Sequence, residues 1–265
     1  MQVFADDGVR IDACVDGRGR KRAVVLIHGF PFTRALWERQ TQALTETFCT
    51  IRPDLRGAGK SSAPGGPYLV ERHAADVAAV LDALGLDRAA LVGHSMGGYV
   101  ALAFTRMFTE RVARLALISS RLRADTSEEA VARRKLAERA ESDDSIEPIV
   151  EAYLPRLFSP QTLAQRSSVV EQAYAMAREN QATGAAATLR GAALRASSED
   201  IAEDLELPML MIAGAADRFV ALDEARSIVA RFPRGRLIVC ETSGHLPMLE
   251  EPERVTAALR GFLSE

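Results

Sequence analysis

Gly93-His94-Ser95-Met96-Gly97 sets a serine between two glycines, directly after the apolar run Ala89–Val92 and directly before a helical pattern. A serine on a sharp strand-to-helix turn presents its hydroxyl as a nucleophile, and glycines two residues away let neighbouring backbone approach. A Gly-rich loop capping a helix would show the same letters, so the strand–helix context carries the reading. A serine hydroxyl is a weak nucleophile at neutral pH and needs a base to take its proton. The chain has four histidines. His73 falls inside a helical pattern and reads as surface or packing. His94 adjoins the serine, but neighbours on a tight turn point apart. His28 ends a strand and is expected to pin the following loop by hydrogen bonds. His245 remains, in Thr242-Ser243-Gly244-His245-Leu246-Pro247, just past the last strand run. A loop at the carboxyl end of a strand is where open α/β sheets build their sites.

The base needs an acid to fix its tautomer and stabilise the imidazolium. Asp217 follows the run Met209–Ala213 and again lies just past a strand end; its rival role, capping the helix from Leu222, would place it five residues early. Asp125 is the nearest carboxylate after the run Leu115–Ile118 and is the competing candidate. The Ser95 attack creates an oxyanion, which needs two donors. The Met96 amide supplies one. The loop His28-Gly29-Phe30-Pro31 supplies the other through Phe30, because Pro31 has no N–H and Gly29 permits unusual backbone. The acyl pocket is expected to be apolar, lined by Phe30, Met96, Tyr153, Leu154 and Phe158.

Positioning these groups requires parallel strands with their carboxyl ends along one edge. Ala23–Ile27, Ala89–Val92, Leu115–Ile118, Met209–Ala213 and Leu237–Cys240 are short continuous apolar runs, as strands buried on both faces require. Phe48–Ile51 is a weaker candidate, and Val9, Ile11, Ala13 and Val15 alternate as in a half-buried strand. Helical patterns at Leu69–Leu84, Gly97–Phe108, Leu222–Phe232 and Pro252–Leu263 lie between them. The expectation is an α/β fold, a mostly parallel sheet flanked by helices. Residues 121–198 carry no strand run and read as an inserted helical lid. Residues 1–120 and 199–265 form the core of one continuous domain. Arg133-Arg134-Lys135 reads as a solvated helix face rather than a binding patch.

With Ser95, Asp217 and His245 in that chain order, the sequence resembles the α/β-hydrolase superfamily over nearly its whole length. Asp54-Leu55-Arg56-Gly57-Ala58-Gly59-Lys60-Ser61 is similar to that superfamily's D-x-R-G-x-G-x-S loop. Phe30-Pro31, Trp37-Glu38-Arg39-Gln40 and Ser95-Met96-Gly97-Gly98 resemble the esterase, cofactor-free haloperoxidase and 3-oxoadipate enol-lactonase branch. His94 departs from the aromatic residue usual in haloperoxidases, and Val220-Ala221 stands where relatives often have a proline. The resemblance implies a carboxylic ester or lactone hydrolase working through an acyl-enzyme, with no cofactor and with perhydrolysis as a side reaction. Another class is also represented in this fold: small-molecule receptors or signalling proteins that keep the triad with slow or single turnover.

Gly59-Lys60-Ser61 ends like a phosphate-binding loop, but position 54 is Asp where that motif needs Gly, and a carboxylate repels phosphate. No histidine, cysteine or carboxylate cluster has zinc spacing. An Asp nucleophile, as dehalogenation would need, is replaced by Ser95. The chain has 265 residues, with 33 Lys and Arg against 36 Asp and Glu; such a balance does not suit nonspecific nucleic-acid binding. Cys14, Cys49 and Cys240 are odd in number and far apart, which fits a reducing compartment and a cytoplasmic location. No apolar run reaches the ~20 residues of a membrane span. The expected partner is a small-molecule ester or lactone.

Overall fold

The computed structural model describes residues 1–265. Eight strands form one sheet: β1 (Gln2–Phe4), β2 (Arg10–Asp16), β3 (Ala23–Ile27), β4 (Cys49–Pro53), β5 (Ala89–His94), β6 (Val112–Ile118), β7 (Met209–Gly214) and β8 (Gly235–Cys240). Their order is β1-β2-β4-β3-β5-β6-β7-β8. β1 and β2 run antiparallel at one edge, and every pairing from β4 to β8 is parallel. The α/β expectation therefore holds, and the weak run at Phe48 is a strand. β1 gave no sequence signal because three residues are too few to show a period of two.

The apolar runs are continuous because each central strand serves two cores. Successive side chains of a strand point to opposite faces. Val25, Ile27, Leu91, Leu115, Leu117 and Met211 go to one cluster. Val24, Leu26, Val92, Ala116, Ile118 and Ile212 go to the other. On the first face lie α2 (Val70–Ala83), α3 (Met96–Met107) and α10 (Leu222–Ala230). On the second lie α1 (Glu38–Leu44) and the C-terminal α12 (Pro252–Ser264), preceded by the short α11 (Pro247–Glu250).

Between β6 and β7 the chain leaves the sheet as α4 (Ser127–Ser142), α5 (Glu147–Leu157), α6 (Pro160–Gln165), α7 (Ser167–Arg178), α8 (Ala182–Ala192) and α9 (Glu199–Ala202). α5 and α7 send Val150, Leu154, Leu157, Val169 and Met176 into the second core. α4 and α8 meet in a small cluster of Ala137, Ala140, Ala185, Ala186 and Leu189. Alanine on both sides lets two helices approach closely. A reciprocal bond between Thr126 and Glu129 caps the start of α4. No helix is long and apolar enough to cross a membrane.

Candidate active site

Ser95 stands between β5 and α3 with φ 50° and ψ −114°, a left-handed conformation that L-residues seldom adopt. The turn is tight because its neighbours lack side chains. A Cβ on Gly97 would overlap the Ile27 carbonyl, and one on Gly93 would overlap Gly97 itself. The elbow thus seats directly on the end of β3, beside the loop expected to supply a donor.

Three elements bring Ser95, His245 and Asp217 together. Parallel register aligns His94 with Ile118 and Gly214 with Cys240, so the loops carrying the three residues leave the same sheet edge. His245 Nδ1 is 2.9 Å and 3.0 Å from the two Asp217 oxygens. A nitrogen facing a carboxylate carries the proton, which leaves Nε2 to accept from Ser95 Oγ at 2.9 Å. The His245 and Asp217 side chains are 4% and 0% exposed. Burial alone would raise the Asp217 carboxyl. The adjacent imidazole and donors from Phe219 N (2.7 Å) and Val220 N (3.1 Å) outweigh it and hold the group below the usual carboxylate value. Asp217 therefore does not cap α10, whose N-cap is Ala221. Asp125 is bound to Arg133 instead and makes no contact with a histidine.

His245 is held through its backbone as well. Its amide donates to Leu157 O at 2.7 Å, and His94 Nε2 donates to its carbonyl at 2.9 Å. Burial pushes His94 down to about 3, so the ring is neutral. Its other nitrogen faces Gly29, where a Cβ would come within 2.9 Å of His94 Cε1. This corrects the expectation for Gly29: its φ is not positive, and the glycine is there to admit the His94 ring. His28 pins the loop as expected, donating from Nδ1 to Gly29 O and accepting the Leu55 amide at Nε2, both at 3.0 Å. The second half of that tie reaches the Asp54–Ser61 loop. There Asp54 accepts from the Arg34 and Lys60 amides, and Arg56 pairs with buried Asp76 through two 2.7 Å bonds. That loop is scaffolding for the site.

Glu250 is a residue the sequence reading missed. Its buried carboxylate accepts from Gly244 N (2.8 Å), Leu246 N (3.4 Å) and Ser159 N (2.9 Å). It hooks both sides of His245 to the start of α6. A glutamate in a short helix carries no sequence mark of such a task.

A cleft of about 470 Å3 opens above Ser95, lined by Phe30, Met96, Tyr153, Leu157 and Phe219 among others. The Phe30 and Met96 amides have no protein acceptor. Phe30 meets Tyr153 edge-on at 5.6 Å, Tyr153 stacks on Phe219 at 5.9 Å, and Phe219 lies 4.9 Å from the His245 ring. Leu154 and Phe158 do not line the cleft; both are fully buried in the second core. Tyr153 and Arg156 share one face of α5 at i and i+3, Leu154 lies one step round the helix from Tyr153, and Phe158 is the extended residue just past the helix end. Arg133 corrects another expectation. Arg134 and Lys135 are exposed, but Arg133 turns inward, its side chain 19% exposed, and donates to Tyr153 Oη at 3.2 Å. No group of three or more His, Cys, Asp or Glu side chains is placed to hold a metal ion.

Residues 22–252 match the family described as alpha/beta hydrolase fold. A thermophilic esterase from Thermogutta terrifontis, solved with malate bound, is 34% identical with a TM-score of 0.95; the match covers 100% of this chain and 97% of that one. The enol-lactonase from Burkholderia xenovorans is 25% identical with a TM-score of 0.92, covering 100% of both chains. The 3-oxoadipate enol-lactonase 2 of Acinetobacter baylyi is 24% identical over 255 residues, 96% of this chain and 93% of that protein.

Proposed function

The chain belongs to the alpha/beta hydrolase fold family and is a hydrolase; on that premise we propose that it cleaves carboxylic esters or lactones through an acyl-enzyme on Ser95. The observation that carries the reading is the unbroken hydrogen-bond line from Ser95 Oγ through His245 to Asp217 at the floor of the cleft. His245 Nε2 takes the hydroxyl proton as Ser95 Oγ attacks the carbonyl carbon. Asp217 stabilises the imidazolium that results. The Phe30 and Met96 amides point their unmet donors at the growing negative charge on the carbonyl oxygen. His245 returns the proton to the leaving alkoxide, then activates water to hydrolyse the Ser95 ester. The esterase and enol-lactonase relatives support this class of substrate. The helices of residues 121–198 act as the lid that shapes the pocket, over a core of residues 1–120 and 199–265.

Ser95→Ala tests the reading. Ester turnover is expected to fall by ~10⁴–10⁶ with the fold intact. A fluorophosphonate probe is expected to label the parent and not the variant. Equal labelling of both would place the nucleophile elsewhere. A single burst of a short activated ester, with no further turnover, would mark a receptor rather than an enzyme.

A further inference from the structure

Two tyrosines line the cleft with hydroxyl protons that the protein leaves unanswered. Tyr99 stands one turn of α3 beyond the nucleophile, and its amide donates to Ser95 O at 3.3 Å. The residue is 7% exposed, yet its hydroxyl has no hydrogen-bond partner in the protein and its oxygen is not sealed off. Arg195, itself buried, lies 3.8 Å from the centre of the Tyr99 ring and holds it in place. Tyr153 comes down from the lid. Its ring meets Phe30 edge-on at 80° and lies flat against Phe219 at 2°. Its oxygen accepts from Arg133 at 3.2 Å. Burial pushes the Tyr153 phenol up, so the group keeps its proton. An oxygen that accepts from a guanidinium still has its own O–H to give, and no protein acceptor takes it. Behind both rings the two guanidiniums are engaged: Arg133 pairs with buried Asp125, and Arg195 lies 3.6 Å from the same carboxylate. What the protein leaves free at this wall is therefore a pair of O–H groups, each fixed by its neighbours.

Resting on the proposed hydrolase reading, we propose that Tyr99 and Tyr153 are specificity-determining residues that donate hydrogen bonds to a second, uncharged oxygen of the substrate. The preferred substrate is an ester or lactone that carries, besides the scissile carbonyl, a ketone, amide or ether oxygen on the part lodged under α4. Arg133 strengthens the Tyr153 donor by bonding to its oxygen, since hydrogen bonds in a chain polarise one another. Leu136 and Leu157, in the same cleft, take the hydrocarbon between the two oxygens. An apolar chain of the same shape leaves both O–H groups unpaired in a partly dry wall, and that loss is the source of the discrimination. A neutral acceptor suits the phenols because it need not be stripped of the strong hydration of an ion.

The test uses two pairs of esters in which a ketone oxygen is replaced by a methylene group of the same shape. Methyl 5-oxohexanoate against methyl 5-methylhex-5-enoate probes the acyl half. 4-Oxopentyl acetate against 4-methylpent-4-enyl acetate probes the alcohol half. In the parent, kcat/KM is expected to favour the ketone by about 10-fold in the pair whose long half lies under α4. Tyr99→Phe and Tyr153→Phe are each expected to lower that ratio about 3-fold, and the double variant to bring it near one. The ratio is taken within one variant, so a general loss of activity or stability cancels. Arg226→Gln, on an exposed pair, keeps the parent's ratio. Equal turnover within both pairs in the parent, or a ratio unchanged in the double variant, would overturn the subsite and leave the hydrolase standing. If none of the four esters is turned over, saturation-transfer NMR reads the same preference as binding. A ketone preference lost in the double variant would then overturn the hydrolase and keep the subsite, and no preference would overturn both.

Discussion

Asp217 and Asp125 are each just past a strand, each buried, and each bound to a nitrogen base; the partner decides their roles. Asp217 faces His245, and Asp125 faces two guanidiniums. Asp217→Asn is expected to cost up to ~10⁴ in kcat with little change in melting temperature, because the amide keeps the shape but favours the wrong imidazole tautomer. Asp125→Asn is expected to do the reverse, costing ~3 kcal/mol of stability by leaving buried guanidiniums uncompensated, with a far smaller loss of rate on neutral esters. Rates and thermal melts on the two variants check this. At this scale the sequence was informative where a motif had to sit beside a strand end: Ser95, Asp217 and His245 are legible from context and order. Phe219, Arg156 and Arg133 were not. Their placement depends on which face of a helix or turn meets the cleft: the expected lining of Tyr153, Leu154 and Phe158 includes one residue that the cleft has, Tyr153, and omits Arg156 and Leu157.

Among elements, the sheet was legible because its strands are buried on both faces, which forces continuous apolar runs. The helices after β6 were legible only as helices, since their partners are set by long-range packing. The Glu250 hook shows what that reading leaves out. Three backbone amides, from Gly244, Leu246 and Ser159, converge on one carboxylate. Glu250→Gln keeps the size but turns one end into a donor, which then faces amide donors. The loss is expected to be ~1–3 kcal/mol, plus a fall in kcat as the His245 loop relaxes. A melt and a kcat measured on the same preparation check both parts. A normal kcat with a lowered melting temperature would show that the hook serves folding alone.

At the scale of the whole molecule, the interior keeps neutral histidines. Burial pushes His73 and His94 each down to about 3, and it lowers His28 as well. The unfolded chain takes up protons near 6.5, so between that value and about 3 the unfolded state binds more protons than the native one. The stabilisation is complete above pH 6.5 and is lost as pH falls through this window. Well inside it, each such histidine removes roughly 1.4 kcal/mol per pH unit. Melting temperature is expected to fall steeply from pH 6 to pH 4.5, and His73→Gln is expected to flatten the slope. The Glu250 hook also has a mechanical consequence. Leu157 O and Ser159 N, at the α5–α6 joint, are fastened to the loop that bears His245, so that joint is a fixed post. α8 is moored too, through the Tyr68 amide on Ala187 O. α4 buries only Ala137 and Ala140 and carries Arg133 on its inner side. It is the awning of the cleft. A bulky substrate is expected to make room by lifting α4 while the base stays in register, and amide exchange is expected to be fastest along Ser127–Ser142 and slow at the joint.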